Sequence, residues 1–123
     1  VDLDDLLIRS DVVTLHLPLD ASTKNIIDSQ KLSLLKSDAI LINLARGGLI
    51  DEVKLKEILI NKRIAGAALD VFEVEPPIDL SFSHMENVLI TPHIGGSSEE
   101  AIFSMGMAAI DGLENSRDPL DFL

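Results

Sequence analysis

The stretch that decides the fold is A-I-L-I-N-L-A-R-G-G at positions 39–48. It opens with an apolar run of strand length, and turn residues with two glycines end that run. Three further apolar runs, at 12–17, 64–70 and 88–91, follow the same pattern. Continuous apolar runs are typical of strands covered on both faces, so the sequence predicts a parallel sheet between layers of helices.

Helical patterns separate the four predicted strands, and each has a recognisable start. Asp28 and Asp51 are predicted N-caps, and Ser97 with Glu100 forms a capping box for a helix running towards Asn115. The residues expected on the buried or apolar faces of these helices are Leu3, Leu6, Leu7, Leu32, Leu35, Val53, Leu55, Ile58, Leu59, Ile102, Met105, Ala109 and Leu113. Helices alternating with strands predict a doubly wound α/β layer structure, whose one long irregular stretch is 72–87.

Composition narrows the functional classes. The chain has 123 residues, with 21 acidic against 10 Lys and Arg residues, which gives a net charge of −11. Such a surface repels phosphate backbones and anionic lipids, so no nucleic-acid or membrane partner is expected. There is no cysteine. This excludes disulfides and thiolate metal sites and favours a reduced, cytoplasmic location. No apolar run approaches the length of a membrane span.

The residues that follow the predicted strands are the first candidates for a site. In an open α/β sheet, ligands bind beyond the carboxyl ends of the strands. Those ends carry Pro18, 44–48, 70–75 and 92–96. Arg46 has a guanidinium that can clamp a carboxylate, although an ion pair with a surface Asp or Glu is the alternative interpretation.

His93 follows a Thr-Pro pair at the end of the last predicted strand, where an imidazole can act as an acid or base. A solvated loop histidine is the alternative. A carboxylate from the neighbouring strand end could orient this ring, and spacing leaves open whether Glu73 or Glu75 does so. Asp70 could accept a hydrogen bond from a ligand amide.

The other two histidines are given structural interpretations. His16 is expected beside the core, inside a strand, and His84 is expected in solvent. No H-E-x-x-H, C-x-x-C or EF-hand pattern is present, so no metal site is predicted.

Four successive segments resemble the D-isomer-specific 2-hydroxyacid dehydrogenases. They are D-V-V-T-L-H-L-P-L (11–19), I-N-L-A-R-G-G-L-I-D-E (42–52), A-G-A-A-L-D-V-F-E-V-E-P-P (65–77) and N-V-L-I-T-P-H-I-G-G-S-S-E-E-A (87–101). The resemblance covers nearly the whole chain in order. It implies a Rossmann-like fold and hydride transfer between NAD(H) and C2 of a 2-hydroxy or 2-oxo acid, in a homodimer.

The resemblance also assigns roles to residues of this chain. It makes Arg46 the clamp for the substrate carboxylate and carbonyl, His93 the acid and base, and Glu75 the partner of His93. The positions implied at the cofactor site are Pro18, Leu44, Ala45, Arg46, Asp70, His93, Gly95 and Gly96. NAD is the expected cofactor, and NADP is the alternative.

Two features depart from the family pattern. No G-x-G-x-x-G motif is present, and Leu44 is bulkier than the small residue often found there. We therefore expect residues 1–123 to form the second half of an NAD-binding domain, a fragment whose last residues, about 116–123, lead back towards a substrate domain. The alternatives are a non-catalytic NAD(H)-sensing protein, similar to corepressors related to this family, and an inert half-domain. A formate dehydrogenase is disfavoured because position 75 is a glutamate.

Overall fold

The sheet consists of four parallel strands that are neighbours in chain order. In the computed structural model, which describes residues 1–115, the strand order is β1-β2-β3-β4. The strands are β1 (Val12–Leu15), β2 (Ile40–Asn43), β3 (Gly66–Leu69) and β4 (Val88–Ile90). Every pairing is parallel. The predicted strands and the α/β class are confirmed, and the carboxyl ends of all four strands share one edge.

Helices alternate with these strands. They are α1 (Leu3–Arg9), α2 (Ser29–Ser33), α3 (Glu52–Ile60) and α4 (Glu99–Glu114), with a short 3₁₀ helix at Ser81–His84. The Asp28 side chain accepts a hydrogen bond from the Lys31 N–H at 2.8 Å, and Asp51 accepts one from the Lys54 N–H at 2.9 Å. Both predicted N-caps are therefore confirmed.

The predicted start of α4 is wrong by one residue. Ser98, rather than Ser97, is the N-cap, and its hydroxyl accepts a hydrogen bond from the Ala101 N–H at 3.1 Å. Two adjacent serines offer the same capping chemistry, so the sequence pattern could not choose between them.

The core lies between helices α1, α2 and α3 and one face of the sheet. Its fully buried side chains include Leu7 of α1, Leu32 of α2, Leu41 of β2 and Leu55 of α3. The prediction that α3 also buries Val53 is wrong, because that side chain is 80% exposed. Residues two apart on a helix lie on nearly opposite sides, so inward-facing Leu55 turns Val53 outward.

Within the described residues, side chains on the other face of the sheet are partly exposed. Val13 and Leu41 are buried, whereas Val12, Ile40 and Leu89 are 53%, 41% and 66% exposed. The prediction that both faces of these strands are covered is therefore wrong for this face. An apolar run shows that a strand can be buried on both faces, but it does not identify the layer that covers each face.

By their contacts the residues form two compact units, one comprising Val1–His93 and the other beginning at Ile94. The second unit contains α4, in which no residue is buried, including the apolar set expected along one of its faces. The predicted return of residues 116–123 towards a substrate domain lies outside the described residues. Among residues 1–115, no helix combines the length and apolar character needed to cross a membrane.

Two connections are long and irregular, not one as predicted. Residues 16–28 join β1 to α2 and are held by Asp20, whose carboxylate accepts hydrogen bonds from the N–H groups of Ser22 and Thr23 at 2.7 and 3.1 Å. The predicted stretch 72–87 is pinned by a ring contact between Phe72 and Phe82, with centroids 6.0 Å apart. Both connections leave the carboxyl edge of the sheet, where a site is expected.

Candidate active site

A histidine and a glutamate form the central contact at this edge. His93, just beyond β4, places its Nδ1 2.7 Å from Oε2 of Glu75 in the connection after β3. The other carboxylate oxygen of Glu75 accepts a hydrogen bond from the Phe72 N–H at 2.9 Å. Of the two glutamates that spacing left open, the one in contact with the ring is Glu75.

Electrostatics fixes the direction of this hydrogen bond. The hydrogen bond from His93 and the second from the Phe72 N–H hold the pKa of the Glu75 carboxyl below its usual value. An ionised carboxylate can only accept, so Nδ1 of His93 carries the hydrogen. Nε2 is then the ring nitrogen left to exchange a proton with a ligand.

The backbone of His93 has an unusual conformation. Its φ angle is +55°, in the left-handed region that few residues other than glycine adopt. Such strain persists only where the surroundings hold it, and it is common at functional sites. The ring is half-exposed, so it is presented to solvent while Glu75 holds one nitrogen.

Glu73 has different partners. Its carboxylate lies 3.4 Å from Nζ of Lys24, and both side chains are more than half exposed. Its N–H donates to Oε1 of Glu52 on α3 at 2.6 Å. Glu73 therefore ties the connection to its neighbours rather than contacting His93.

Asp70 is the buried carboxylate of the site. It is 2% exposed, and it accepts a hydrogen bond from the hydroxyl of Thr91. Asp70 and Thr91 line the same cleft as Glu75 and His93, with a volume of about 360 Å³. The other walls are apolar and come from Phe72, Pro76, Pro77, Ile90 and Pro92.

Arg46 lies in another, more open cleft at the same edge. That cleft is also lined by His16, Pro18, Leu44 and Ala45. The Arg46 guanidinium donates to the Ala45 carbonyl at 2.7 Å, and no carboxylate among residues 1–115 lies within ion-pair distance of it. The alternative interpretation, a surface ion pair, is not what the described residues show.

Asn43 positions the turn that carries Arg46, and the sequence analysis missed it. Its side chain is 2% exposed; the amide donates to the Arg46 carbonyl at 2.9 Å and accepts from the Ala45 N–H at 3.1 Å. The signal that could have found it is an asparagine closing an apolar run before Arg-Gly-Gly, because buried amides need partners.

Replacing Asn43 with Leu should destabilise the protein by about 1–3 kcal/mol, since the partly buried Ala45 N–H and Arg46 carbonyl lose their hydrogen-bond partner. The measurement is urea unfolding. Asn61→Leu is the control: it removes a similar bond, from the Asn61 amide to the Glu57 carbonyl at 2.9 Å, but at an exposed site where water can replace it. Equal losses in the two variants would contradict the positioning role of Asn43.

The other two histidines and the two glycines after His93 can be compared with their predicted positions. His16 is exposed just after β1, so its placement inside a strand beside the core is wrong; its Nε2 lies 3.0 Å from the Thr14 hydroxyl. His84 is exposed, as predicted. Gly95 and Gly96 belong to the second unit, and their contact with a cofactor stays a prediction. No cluster of three potential metal ligands occurs among the described residues.

The lowered pKa of Glu75 predicts how acid affects stability. Because the folded pKa lies below the ordinary value of 4.5, the unfolded chain takes up the proton first. This stabilisation is present above about pH 4.5 and is lost as the pH falls through the folded pKa. Thermal unfolding of wild type and Glu75→Gln should therefore differ at neutral pH and converge in acid. Exposed Glu86→Gln is the control, and a constant difference at every pH would contradict the assignment.

The fold and the site together define the class of domain to which this chain belongs. An open parallel α/β sheet with a histidine–carboxylate pair and an apolar cleft beyond its strand ends has the architecture of a dinucleotide-binding domain. Residues 1–95 match the family model described as D-isomer specific 2-hydroxyacid dehydrogenase, NAD binding domain. The chain belongs to this family, which confirms the resemblance, and the expected cofactor agrees with a family model that describes an NAD-binding domain.

Individual relatives agree with this assignment. D-3-phosphoglycerate dehydrogenase of Methanocaldococcus jannaschii is 50% identical over 100 residues, 81% of this chain and 19% of that protein. Glycerate dehydrogenase of Methylorubrum extorquens is 44% identical over 117 residues, 93% and 37% of the two chains. The solved structure of an acyclic imino acid reductase with NADPH and D-Arg superposes with a TM-score of 0.87 at 38% identity, covering 93% of this chain and 36% of its own. The chain thus spans between a fifth and two fifths of the length of these relatives.

Proposed function

We propose that this chain carries the catalytic groups of an oxidoreductase that transfers a hydride between NAD(H) and C2 of a D-2-hydroxy or 2-oxo acid. The observation that supports this most directly is the 2.7 Å contact between His93 and Glu75 beside an apolar cleft. A histidine oriented by a carboxylate is suited to proton exchange with a carbonyl or hydroxyl oxygen.

The cleft has the chemistry that a nicotinamide ring requires. Its walls are mainly proline, phenylalanine and isoleucine side chains, and the buried Asp70 carboxylate can accept a hydrogen bond from a carboxamide. When bound, NAD(H) supplies or receives the hydride. The combination of apolar walls with the buried Asp70 acceptor is the reason to place the reactive end of the cofactor here.

In the reductive direction, His93 would give the proton at Nε2 to the carbonyl oxygen of the 2-oxo acid. Glu75 would hold Nδ1 and stabilise the ring whether or not Nε2 is protonated. In the oxidative direction, Nε2 would take the proton from the hydroxyl group. The pair therefore supports both directions without another titrating side chain.

Arg46 would bind the carboxylate of the acid. Its guanidinium has no carboxylate partner among residues 1–115, and on a chain of net charge −11 it provides local positive charge. We also assign cofactor contacts to Pro18, Leu44 and Ala45, which line the cleft with Arg46, and to the Gly95-Gly96 backbone. These roles follow the family positions.

Steady-state reduction of a panel of 2-oxo acids, followed as loss of NADH or NADPH, tests the proposal on the full-length protein. Turnover of at least one acid is the expected result. Cofactor binding without turnover of any acid would overturn the proposal and favour an NAD(H)-sensing protein. Titrating the 123-residue chain with NADH separately tests whether it binds cofactor by itself.

The proposal extends to assembly and location. The chain would form the second half of an NAD-binding domain in a cytoplasmic homodimer. The absence of cysteine supports a reducing compartment. Light scattering of the full-length protein would measure its oligomeric state.

A further inference from the structure

Glu52 is a half-buried carboxylate close to other negative charges. It is the first residue of α3, and its Oε1 accepts a hydrogen bond from the Glu73 N–H at 2.6 Å. Burial, followed by the charges of Glu73 and Glu75, raises the pKa of the Glu52 carboxyl. Keeping an ionised carboxylate half-buried beside other negative charges costs free energy. The hydrogen bond from the Glu73 N–H is therefore the interaction whose role matters at Glu52.

The contact lies in the turn that carries Glu75. Two successive N–H groups of this turn are each held by a carboxylate: that of Phe72 by Glu75, and that of Glu73 by Glu52. The Glu75 carboxylate thus has one oxygen on the turn itself and the other on His93. Anything that holds the turn therefore also sets where Oε2 of Glu75 meets the ring.

The lysines paired in this region cannot accept the hydrogen bond from the Glu73 N–H, because an ammonium group only donates. Lys24 pairs with the Glu73 side chain, 3.4 Å away, and Lys56 of α3 pairs with Asp79. Both lysines therefore bind carboxylates other than that of Glu52. Glu52 is the side chain that accepts this hydrogen bond.

We propose that Glu52 is a positioning residue that, through the Glu73 N–H, holds the 72–75 turn so that Glu75 meets His93. The inference rests on the proposed function for its catalytic meaning, but the geometry it concerns can be measured without turnover. What matters in Glu52 is the acceptor oxygen and its reach, and the negative charge is not required.

The test is a carbon NMR titration of the Glu75 carboxyl in the full chain, with three variants of position 52. In Glu52→Ala the turn relaxes, the Glu75–His93 contact lengthens, and the pKa of Glu75 should rise by about 0.5 or more. Glu52→Asp keeps the charge but is one methylene too short, so it should raise the pKa of Glu75 similarly. Glu52→Gln keeps the acceptor oxygen and should not raise it.

A purely electrostatic role predicts the opposite pattern. Removing a nearby negative charge lowers the pKa of a carboxyl, so Glu52→Ala and Glu52→Gln would both lower that of Glu75, and Glu52→Asp would leave it unchanged. That pattern, or an equal rise in the Ala and Gln variants, would overturn the proposal. Glu86→Ala, at an exposed carboxylate before β4, is the control and should shift nothing.

Turnover gives an independent second measurement. In an active full-length protein, Glu52→Ala should lower kcat about tenfold with little change in KM, and Glu52→Gln should restore most of it. A protein that reduces no 2-oxo acid would refute the proposed function, yet the carboxyl titration would still decide the role of Glu52. The two failures are therefore distinguishable.

Discussion

His93→Asn is expected to lower kcat for reduction of a 2-oxo acid by about 10²–10⁴-fold, the usual contribution of a positioned acid or base. Asparagine is the suitable replacement because it tolerates the left-handed backbone that His93 adopts, with φ of +55°. It cannot deliver a proton to the substrate oxygen. The loss should therefore reflect missing proton transfer rather than a distorted loop, and steady-state kinetics of the full-length protein would measure it.

Two comparisons make this result specific. His84→Asn removes an exposed ring from the 3₁₀ helix and should leave kcat unchanged. Cofactor affinity should fall far less than kcat in His93→Asn, since the apolar walls of the cleft and Asp70 remain in place. If His93→Asn kept kcat within a few-fold of wild type, the assignment of His93 as the acid would be wrong.

The sheet was predictable because its signals are local. Each strand is a short apolar run, and Asp28 and Asp51 cap helices through bonds to N–H groups three residues ahead. Grouping His93 with the acidic 70–75 turn needed only the rule that parallel strands end at one edge, and the family resemblance singled out Glu75 within that turn. Asp70, Glu75 and His93 do line one cleft.

The features of the site that the sequence could not predict depend on contacts that only the folded chain makes. Spacing could not choose Glu75 over Glu73, since the choice depends on how the turn after β3 folds back on its own Phe72 N–H. Glu52 looked like an ordinary first-turn helix residue, and its bond to Glu73 spans 21 positions. Asn43 looked like the end of a strand. In each case a side chain binds a backbone group whose position only tertiary packing sets.

Gly47→Ala is expected to have the largest effect on stability, because a close backbone approach depends on this glycine. A Cβ built on Gly47 would lie 1.9 Å from the Phe72 carbonyl oxygen and 2.1 Å from its carbon. These are backbone atoms, so the clash cannot be relieved by rotating a side chain. We expect a loss of about 3 kcal/mol, the upper part of the range for overpacking. Thermal unfolding should show a fall in Tm on the order of 10–15 °C.

The same substitution should also disturb the site, since the residue it displaces supplies the N–H that holds Glu75. In Gly47→Ala the pKa of the Glu75 carboxyl should therefore rise towards its ordinary value of 4.5, as read by carbon NMR. Gly106→Ala in α4 is the control, because a Cβ there meets no atom within 4 Å. It should leave the titration of Glu75 as in wild type and should not lower Tm, because alanine is the better helix former. A Gly47→Ala variant as stable as this control would show that the turn after β2 can move away from Phe72, and the close approach would then not be required for stability.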